Sequence, residues 1–319
     1  MNEVAKPTLP VSLERRLFLP AAAGAVVLFL VVGGLGLFRY LDSYWLYRGF
    51  PPPKDPSFVK QQGTIQTIHV KSAAIGGRSE PVDVYLPPNY AQSTQRYPVL
   101  YLLHGFPGDP AGFVRTVRVG VVEDTLLAKN AMKPMIIVMP MGSTGIFTDK
   151  EWANGINPKE AWETFFARDV VKAVDQQFRT IPTGAARAVG GLSEGGYASF
   201  NIGLHHPLEF RVLESWSGYE KADNMKSIFG GRQAKLAYNS PLLTLPRAAK
   251  TLRREHAYLW FYTGDKDSLG KENYTFAAEL TRLHVPHHFF VVSGGHNWAL
   301  WRTNAWQAVS VASARLAHG

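Results

Sequence analysis

Two hydrophobic patterns divide the chain. From 17 to 38, "LFLPAAAGAVVLFLVVGGLGLF" runs 22 positions without a charge. Beyond 63, short apolar runs alternate with segments in which apolar residues return every three or four positions. The first pattern predicts a helix of ~33 Å, about the thickness of a bilayer's hydrocarbon core. Arg15 and Arg16 precede it, and Arg39, Tyr40, Tyr44, Trp45 and Tyr47 follow, residues suited to the water–lipid interface. No small-x-small cleavage site follows Phe38, so the run reads as an uncleaved single-pass signal anchor rather than a removable leader. A short tail, 1–16, is expected inside, with the large C-terminal part exported. The proline-rich "GFPPPKDP" makes 39–62 a semi-rigid juxtamembrane linker.

The second pattern fills 63–319. "TIQTIHVKS" and "EPVDVYLPP" predict two early strands around a Gly76-Gly77 turn. "YPVLYLLHG", "MIIVMPMG", "ARAVGGLS", "RVLESWSG", "AYLWFYTGD" and "HHFFVVSGG" predict further strands; the continuous apolar runs among them suit strands buried on both faces. Helical spacing predicts helices over "WETFFARDVVKAVDQQF", "YASFNIGLHH", "NYTFAAELTRLH" and "WRTNAWQAVSVASARLA". Strand–helix alternation implies an α/β domain with a mostly parallel sheet covered by helices on both faces. Ligands of such sheets bind at the carboxyl ends of the strands.

Composition narrows the chemistry. The 319 residues are 46% hydrophobic and 18% charged, enough for a sizeable core. The absence of cysteine excludes disulfides, thiolate metal sites and a thiol nucleophile. The net charge of +9 is spread along the chain. Its one concentration, "RAAKTLRR", places Arg247, Lys250, Arg253 and Arg254 at helical spacing and reads first as a solvated helix face. No nucleic-acid motif accompanies it. No cofactor or metal site is expected.

Within this frame, "GGLSEGGY" at 190–197 follows a predicted strand and precedes a predicted helix. That is the setting of a G-x-S-x-G nucleophile elbow, with Ser193 as nucleophile between Gly191 and Gly195. A serine hydroxyl needs a base, and the base an orienting acid, in the chain order Ser, Asp or Glu, His. "FYTGDKDSL" offers Asp265 and Asp267, and "VVSGGHNWALW" offers His296, each in a loop after a strand. His205, His206, His284, His287 and His288 lie at helix or strand ends and fit less well; His104 precedes the acid and reads as structural. The oxyanion donors are expected to be the backbone N–H groups of Glu194 and of Phe106, in the loop "HGFPGD". Trp152 and Trp298 are candidate substrate-binding residues; of Trp152 and Trp162 at least one reads as core, and Trp298 and Trp301, beside His296, carry the same alternative. Glu194 and Glu220 could draw a cationic group.

Together, "YLLHGFPGD", "MIIVMPMG", "RAVGGLSEGGYASF", "TGDKDSL" and "GGHNWALWR" resemble an esterase branch of the α/β-hydrolases. That branch includes feruloyl and acetylxylan esterases, S-formylglutathione hydrolases, enterochelin esterases and bacterial mycolyltransferases. The resemblance covers roughly 64–315 and implies an α/β-hydrolase fold with Ser193, Asp267 and His296 as triad. It selects Asp267 over Asp265 because the family's G-x-x-D-S loop matches at the second aspartate, and it implies the Phe106 amide in the oxyanion hole. The expected protein is a membrane-anchored serine esterase acting on an envelope lipid, glycolipid or acylated glycan. The alternatives are a mycolyltransferase-type acyltransferase, a peptidase of the same fold, and a non-catalytic membrane-tethered binding protein.

Overall fold

A computed structural model describes residues 11–40, 54–223 and 225–319, with side chains of the first stretch given at 20 and 22–37. The chain divides into two compact units, Met1–Phe50 and Pro51–Gly319.

In the first unit, helix α1 spans Val11–Tyr40, 30 residues. It begins earlier than the apolar run predicted, so Pro20 lies inside the helix rather than in its first turn. There its ring removes one backbone hydrogen bond. Val26, Leu28, Phe29 and Leu35 are exposed. Among the described residues no helix is long and apolar enough to cross a membrane. The expected anchor, 17–38, reaches beyond the described side chains at both ends. The expected tail and linker fall largely outside the described residues, at 1–10 and 41–53.

The second unit is built on one eight-stranded sheet. Its strands are β1 (Thr64–Lys71), β2 (Ser79–Leu86), β3 (Val99–Leu103), β4 (Ile136–Pro140), β5 (Arg187–Leu192), β6 (Val212–Trp216), β7 (Tyr258–Gly264) and β8 (His287–Val292). Their order is β1-β2-β4-β3-β5-β6-β7-β8. β1 and β2 pair antiparallel, β2 joins β4 antiparallel, and every later pairing is parallel. This is the mostly parallel α/β sheet the alternation predicted. The strands read as continuous apolar runs, β3 and β4, are buried at every position, and the edge strand β1 is largely exposed.

The helices are α2 (Val119–Ala128), α3 (Trp162–Thr164), α4 (Val171–Gln177), α5 (Glu194–His205), α6 (Lys226–Phe229), α7 (Gln233–Tyr238), α8 (Pro241–Arg254), α9 (Lys271–Arg282) and α10 (Trp298–Arg315). A π-helical turn, Phe165–Val170, joins α3 to α4, so the single helix predicted there is underwound in its middle. α2, α6 and α7 were not foreseen; the last two are four and six residues long, too short for a period to register. On α8 the basic quartet is exposed, while Leu245, Ala248, Ala249 and Leu252 pack inward, as a solvated face requires.

Helix α5 lies at the centre, buried from Glu194 to Leu204. Phe200 stacks on Phe276 at 5.1 Å and meets Phe261 edge-on at 5.3 Å. Each such side chain contributes roughly 2–3 kcal/mol by burial. The helix that carries the elbow is therefore among the most firmly held parts of the domain.

Candidate active site

The elbow forms where β5 ends. Ser193 has φ 56° and ψ −118°, a left-handed backbone rare for a residue with a side chain, and α5 starts at the next residue. The turn is possible because its neighbours lack Cβ atoms. A Cβ on Gly191 or Gly195 would run into the carbonyl of Leu103 on β3. Ser193 N–H donates to Trp216 O on β6 at 3.0 Å, tying the elbow to the second neighbouring strand.

Three loops at the carboxyl ends of β5, β7 and β8 bring Ser193, Asp267 and His296 together. Ser193 Oγ–H donates to His296 Nε2 at 2.7 Å, and His296 Nδ1–H donates to Asp267 Oδ2 at 2.8 Å. The Asp267 side chain is fully covered, and that of His296 is 22% exposed. Burial alone would raise the Asp267 pKa, but the hydrogen bond and charge of His296 and the N–H of Leu269 outweigh it. The carboxyl is held below its ordinary range. The His296 ring meets Trp301 edge-on at 5.0 Å, which fixes its orientation.

The two candidate aspartates separate cleanly. Asp265 accepts the N–H of Gly294 at 2.9 Å and so staples the β7 loop to the β8 loop. Asp267 alone faces the imidazole.

The loop after β3 passes beside the nucleophile. A Cβ on Gly105 would sit 3.0 Å from Ser193 Cβ, so the backbone entering Phe106 lies against the elbow, while the Phe106 side chain is 42% exposed. Glu194 is the first residue of α5, where backbone N–H groups have no partner within the helix. Both expected donor residues thus flank Ser193. His104 is buried; its Nδ1–H donates to Gly105 O at 3.0 Å and its Nε2 accepts the N–H of Gly142 at 3.0 Å. Burial lowers its pKa to about 4, so the ring is a neutral strut of this loop.

The candidate substrate-binding tryptophans are packed inside the domain. Trp152 is fully buried; its indole N–H donates to His104 O at 3.0 Å and its ring lies 5.0 Å from the His104 ring. Trp298 is 9% exposed, meets Trp301 edge-on at 5.1 Å and covers Gly112. Neither forms an open wall, because each ring is spent holding a loop. Trp162 and Trp301 are also core. Glu220 is wholly buried, with burial raising its carboxyl pKa well above the ordinary range, so it presents no surface to a cationic group.

No motif marks the acidic shelf that lies beside the elbow. Carboxylate oxygens of Asp149, Glu151 and Glu194 lie within 4.8 Å of one another. Glu151 Oε2 accepts the hydroxyl of Tyr219 at 2.5 Å. Burial first, then the Asp149 charge, raises the Glu151 pKa to about 8. A cavity of about 570 Å³ opens here, lined by Glu151, Tyr219, Asp223 and, from the loop carrying Asp267, Leu269. A cavity of similar volume, about 580 Å³, includes Arg187 at the amino end of β5, the wrong end of the sheet for this chemistry.

Comparison with known proteins places the fold and the family. The family described as "Putative esterase" matches residues 72–309. An endo-1,4-β-xylanase/feruloyl esterase of Xylanibacter ruminicola is 32% identical over 176 residues, 52% of this chain and 24% of that protein. An esterase of Mycobacterium tuberculosis is 26% identical over 254 residues, 71% of this chain and 54% of that one. The chain thus spans between a quarter and about half the length of these two relatives. Among solved structures, a ferulic acid esterase superposes with a TM-score of 0.71 at 26% identity, covering 81% of this chain and 100% of its own. An S-formylglutathione hydrolase from Agrobacterium tumefaciens shares the fold at TM-score 0.68 and 14% identity, covering 83% of this chain and 99% of its own.

Proposed function

The chain belongs to the esterase family, and from that premise we propose that it is a serine esterase that cleaves a carboxylic ester through an acyl-serine intermediate. The observation that carries the reading is the unbroken chain Ser193 Oγ–His296 Nε2 at 2.7 Å and His296 Nδ1–Asp267 Oδ2 at 2.8 Å. Proximity of this kind activates an otherwise weak hydroxyl nucleophile.

In the first half-reaction His296 Nε2 takes the Ser193 proton as Oγ bonds to the ester carbonyl carbon. The carbonyl oxygen becomes an oxyanion held by the N–H groups of Phe106 and Glu194, each worth ~3 kcal/mol in the transition state. Collapse breaks the bond to the alcohol oxygen, which leaves with the proton from His296. In the second half-reaction water gives a proton to His296 and attacks the acyl carbon. The Ser193–acyl bond breaks, Oγ recovers its proton, and the carboxylic acid departs. Asp267, kept ionised below its ordinary pKa, steadies the imidazolium in both halves.

The proposed architecture is a catalytic domain, 63–319, linked through 39–62 to a single-pass anchor at 17–38, with the domain outside the cytoplasm. The uncharged run at 17–38 supports it. The substrate we propose is an ester of an envelope-associated lipid, glycolipid or acylated glycan, because a tethered enzyme meets substrates held near the bilayer.

A fluorophosphonate probe tests the chemistry: wild type is expected to label at Ser193, and Ser193→Ala to remain unlabelled and inactive on short-chain esters. Labelling of Ser193→Ala at wild-type level overturns the assignment. A C-terminal reporter active only outside the cytoplasm tests the topology; an inactive fusion refutes export.

A further inference from the structure

The fold collects positive charge at one end of the sheet. β1 runs antiparallel to β2, and β2 antiparallel to β4, so β1 points the same way as the parallel strands. Residues 54–63, which follow the uncharged run along the chain, therefore reach the domain at the amino end of the sheet. α2 and α8 end there, leading into β4 and β7. So does α10, beyond which Ala317 N–H donates to Ala185 O at 2.9 Å, just ahead of β5.

Six exposed cations stand at this end without a carboxylate partner among the described residues: Lys60, Arg96, Lys129, Lys133, Arg253 and Arg315. They lie ahead of β1, β3, β4 and β7 and at the end of α10, so they run from the β1 edge across most of the sheet. Strands ~4.8 Å apart make that row ~29 Å long. Carboxylates at this end are committed elsewhere: Asp175 and Glu209 hold the buried Arg187, Glu255 pairs with Arg254, and Glu279 with Arg282. Helix dipoles account for Arg253 and Arg315, each in the last turn of its helix. They do not account for Lys60, Arg96 and Lys133, which lie in connections. Lys129 Nζ stands 5.6 Å from the ring centre of Phe58, which is 46% exposed. A lysine over an open aromatic ring fits the boundary between lipid headgroups and water.

The other end differs. The triad sits ~20 Å away, the length of the six-residue β5. Exposed charges on its loops are mixed, with Asp149, Asp223 and Asp265 among Arg115, Lys266 and Lys271.

We propose that the amino end of the sheet is a docking face for an anionic lipid surface, which leaves the mouth at Ser193 open on the opposite side. This rests on the anchored reading above and is independent of the chemistry at Ser193. Cations gain from anionic headgroups only within about one Debye length, so a continuous basic row is favoured over a mixed face. Esters on a group that stands out from the leaflet then reach Ser193, and ester bonds buried in that leaflet do not.

The chain has no cysteine, so one introduced thiol takes one label. Ala314→Cys marks the amino end and Thr144→Cys the carboxyl end, both at exposed positions. The labelled full chain is reconstituted into phosphatidylcholine vesicles, with or without phosphatidylglycerol, that carry a rhodamine lipid acceptor. With phosphatidylglycerol, energy transfer from position 314 is expected to exceed that from position 144. The excess should be lost without phosphatidylglycerol and at about 1 M salt, where the screening length falls to ~3 Å. It should also be lost in the triple variant Lys60→Gln, Lys129→Gln, Lys133→Gln. Equal transfer from the two positions, or an excess that survives these controls, overturns the proposal. So does the reverse order, which would put the mouth and the exposed Phe106, Ile146 and Phe147 on the lipid side. If carbonate strips the chain from neutral vesicles, the anchor reading fails on its own. Flotation with anionic vesicles then decides the face: wild type should float and the triple variant bind about 100-fold more weakly, whereas equal binding overturns it.

Discussion

Among the described residues the domain holds two carboxylate–histidine constellations, and their chemistry is alike at first glance. In one, Asp267 meets His296 at 2.8 Å; in the other, Glu163 meets His205 at 3.1 Å and His206 at 3.0 Å through a single oxygen, Oε1. In both, burial tends to raise the carboxyl pKa and the histidine hydrogen bonds and charges overturn that tendency, bringing Glu163 down to about 2. What separates them is the far nitrogen of each ring. His296 Nε2 faces a hydroxyl on a strained turn at the carboxyl end of the sheet. His205 Nε2 is spent on Tyr238 O at 2.8 Å, with the Tyr238 ring stacked over it at 4.0 Å. A histidine with both nitrogens committed to the fold has no proton to trade. The difference between a lock and a general base lies in what the second nitrogen touches, not in the pair itself.

The comparison is broken most sharply at the first constellation. Ser193→Ala or His296→Ala should lower kcat by about 10⁵-fold or more while the thermal midpoint stays within a few degrees, measured by ester hydrolysis and by melting. Asp267→Asn should cost on the order of 10³–10⁴-fold in kcat, because the amide presents the wrong partner to Nδ1. Asp265→Asn, one turn away, should cost no more than about threefold, since its oxygen can still accept from Gly294. Equal losses at the two aspartates would erase the distinction drawn between them.

At the second constellation the readouts exchange places. Glu163→Ala should destabilise the domain by roughly 3 kcal/mol in chemical denaturation and leave kcat per titrated site unchanged. The ordinary value for Glu163 is 4.5 and its folded value about 2, so its contribution is complete above pH 4.5 and drains away as pH falls towards 2. The stability gap between wild type and Glu163→Ala should therefore narrow on acidification. A buried carboxyl without a histidine behaves in the opposite sense. Glu214 accepts only the Trp216 indole N–H at 3.1 Å, and burial raises its pKa to about 8. Its protonated folded form favours the native state below pH 4.5, and that advantage is lost as pH rises towards 8. Glu214→Gln should thus gain nothing at pH 4 and progressively more stability as pH rises towards 8.

Much of the catalytic arrangement was legible because its signals are local. The elbow announces itself through glycines two residues either side of Ser193, which the packing against Leu103 requires. β3 and β4 are continuous apolar runs, and the loops carrying Ser193, Asp267 and His296 follow directly on β5, β7 and β8. The shelf was not legible. Nothing in "DKEWANG" marks two left-handed residues, because no glycine or asparagine stands at either position and the segment is held by Tyr219 and His104 from elsewhere in the chain. Trp152 and Trp298 misled for a related reason. An aromatic near a catalytic loop has the same sequence signature whether its ring faces solvent or holds the loop from beneath.

By itself the sequence determined the α/β alternation, the elbow, and the order serine, aspartate, histidine, since each depends on spacing within a few residues or on succession along the chain. The tertiary structure showed which histidines are locks and that the Glu194 carboxyl lies within 4.8 Å of that of Glu151; residue spacing left both aspartates open, the family resemblance favoured Asp267, and the fold turns that side chain to His296. Ser193 and His296 are 103 positions apart, and their 2.7 Å contact exists because β5 and β8 deliver their loops to one end of a sheet. A contact of that separation is set by strand order and packing, and no local pattern encodes it.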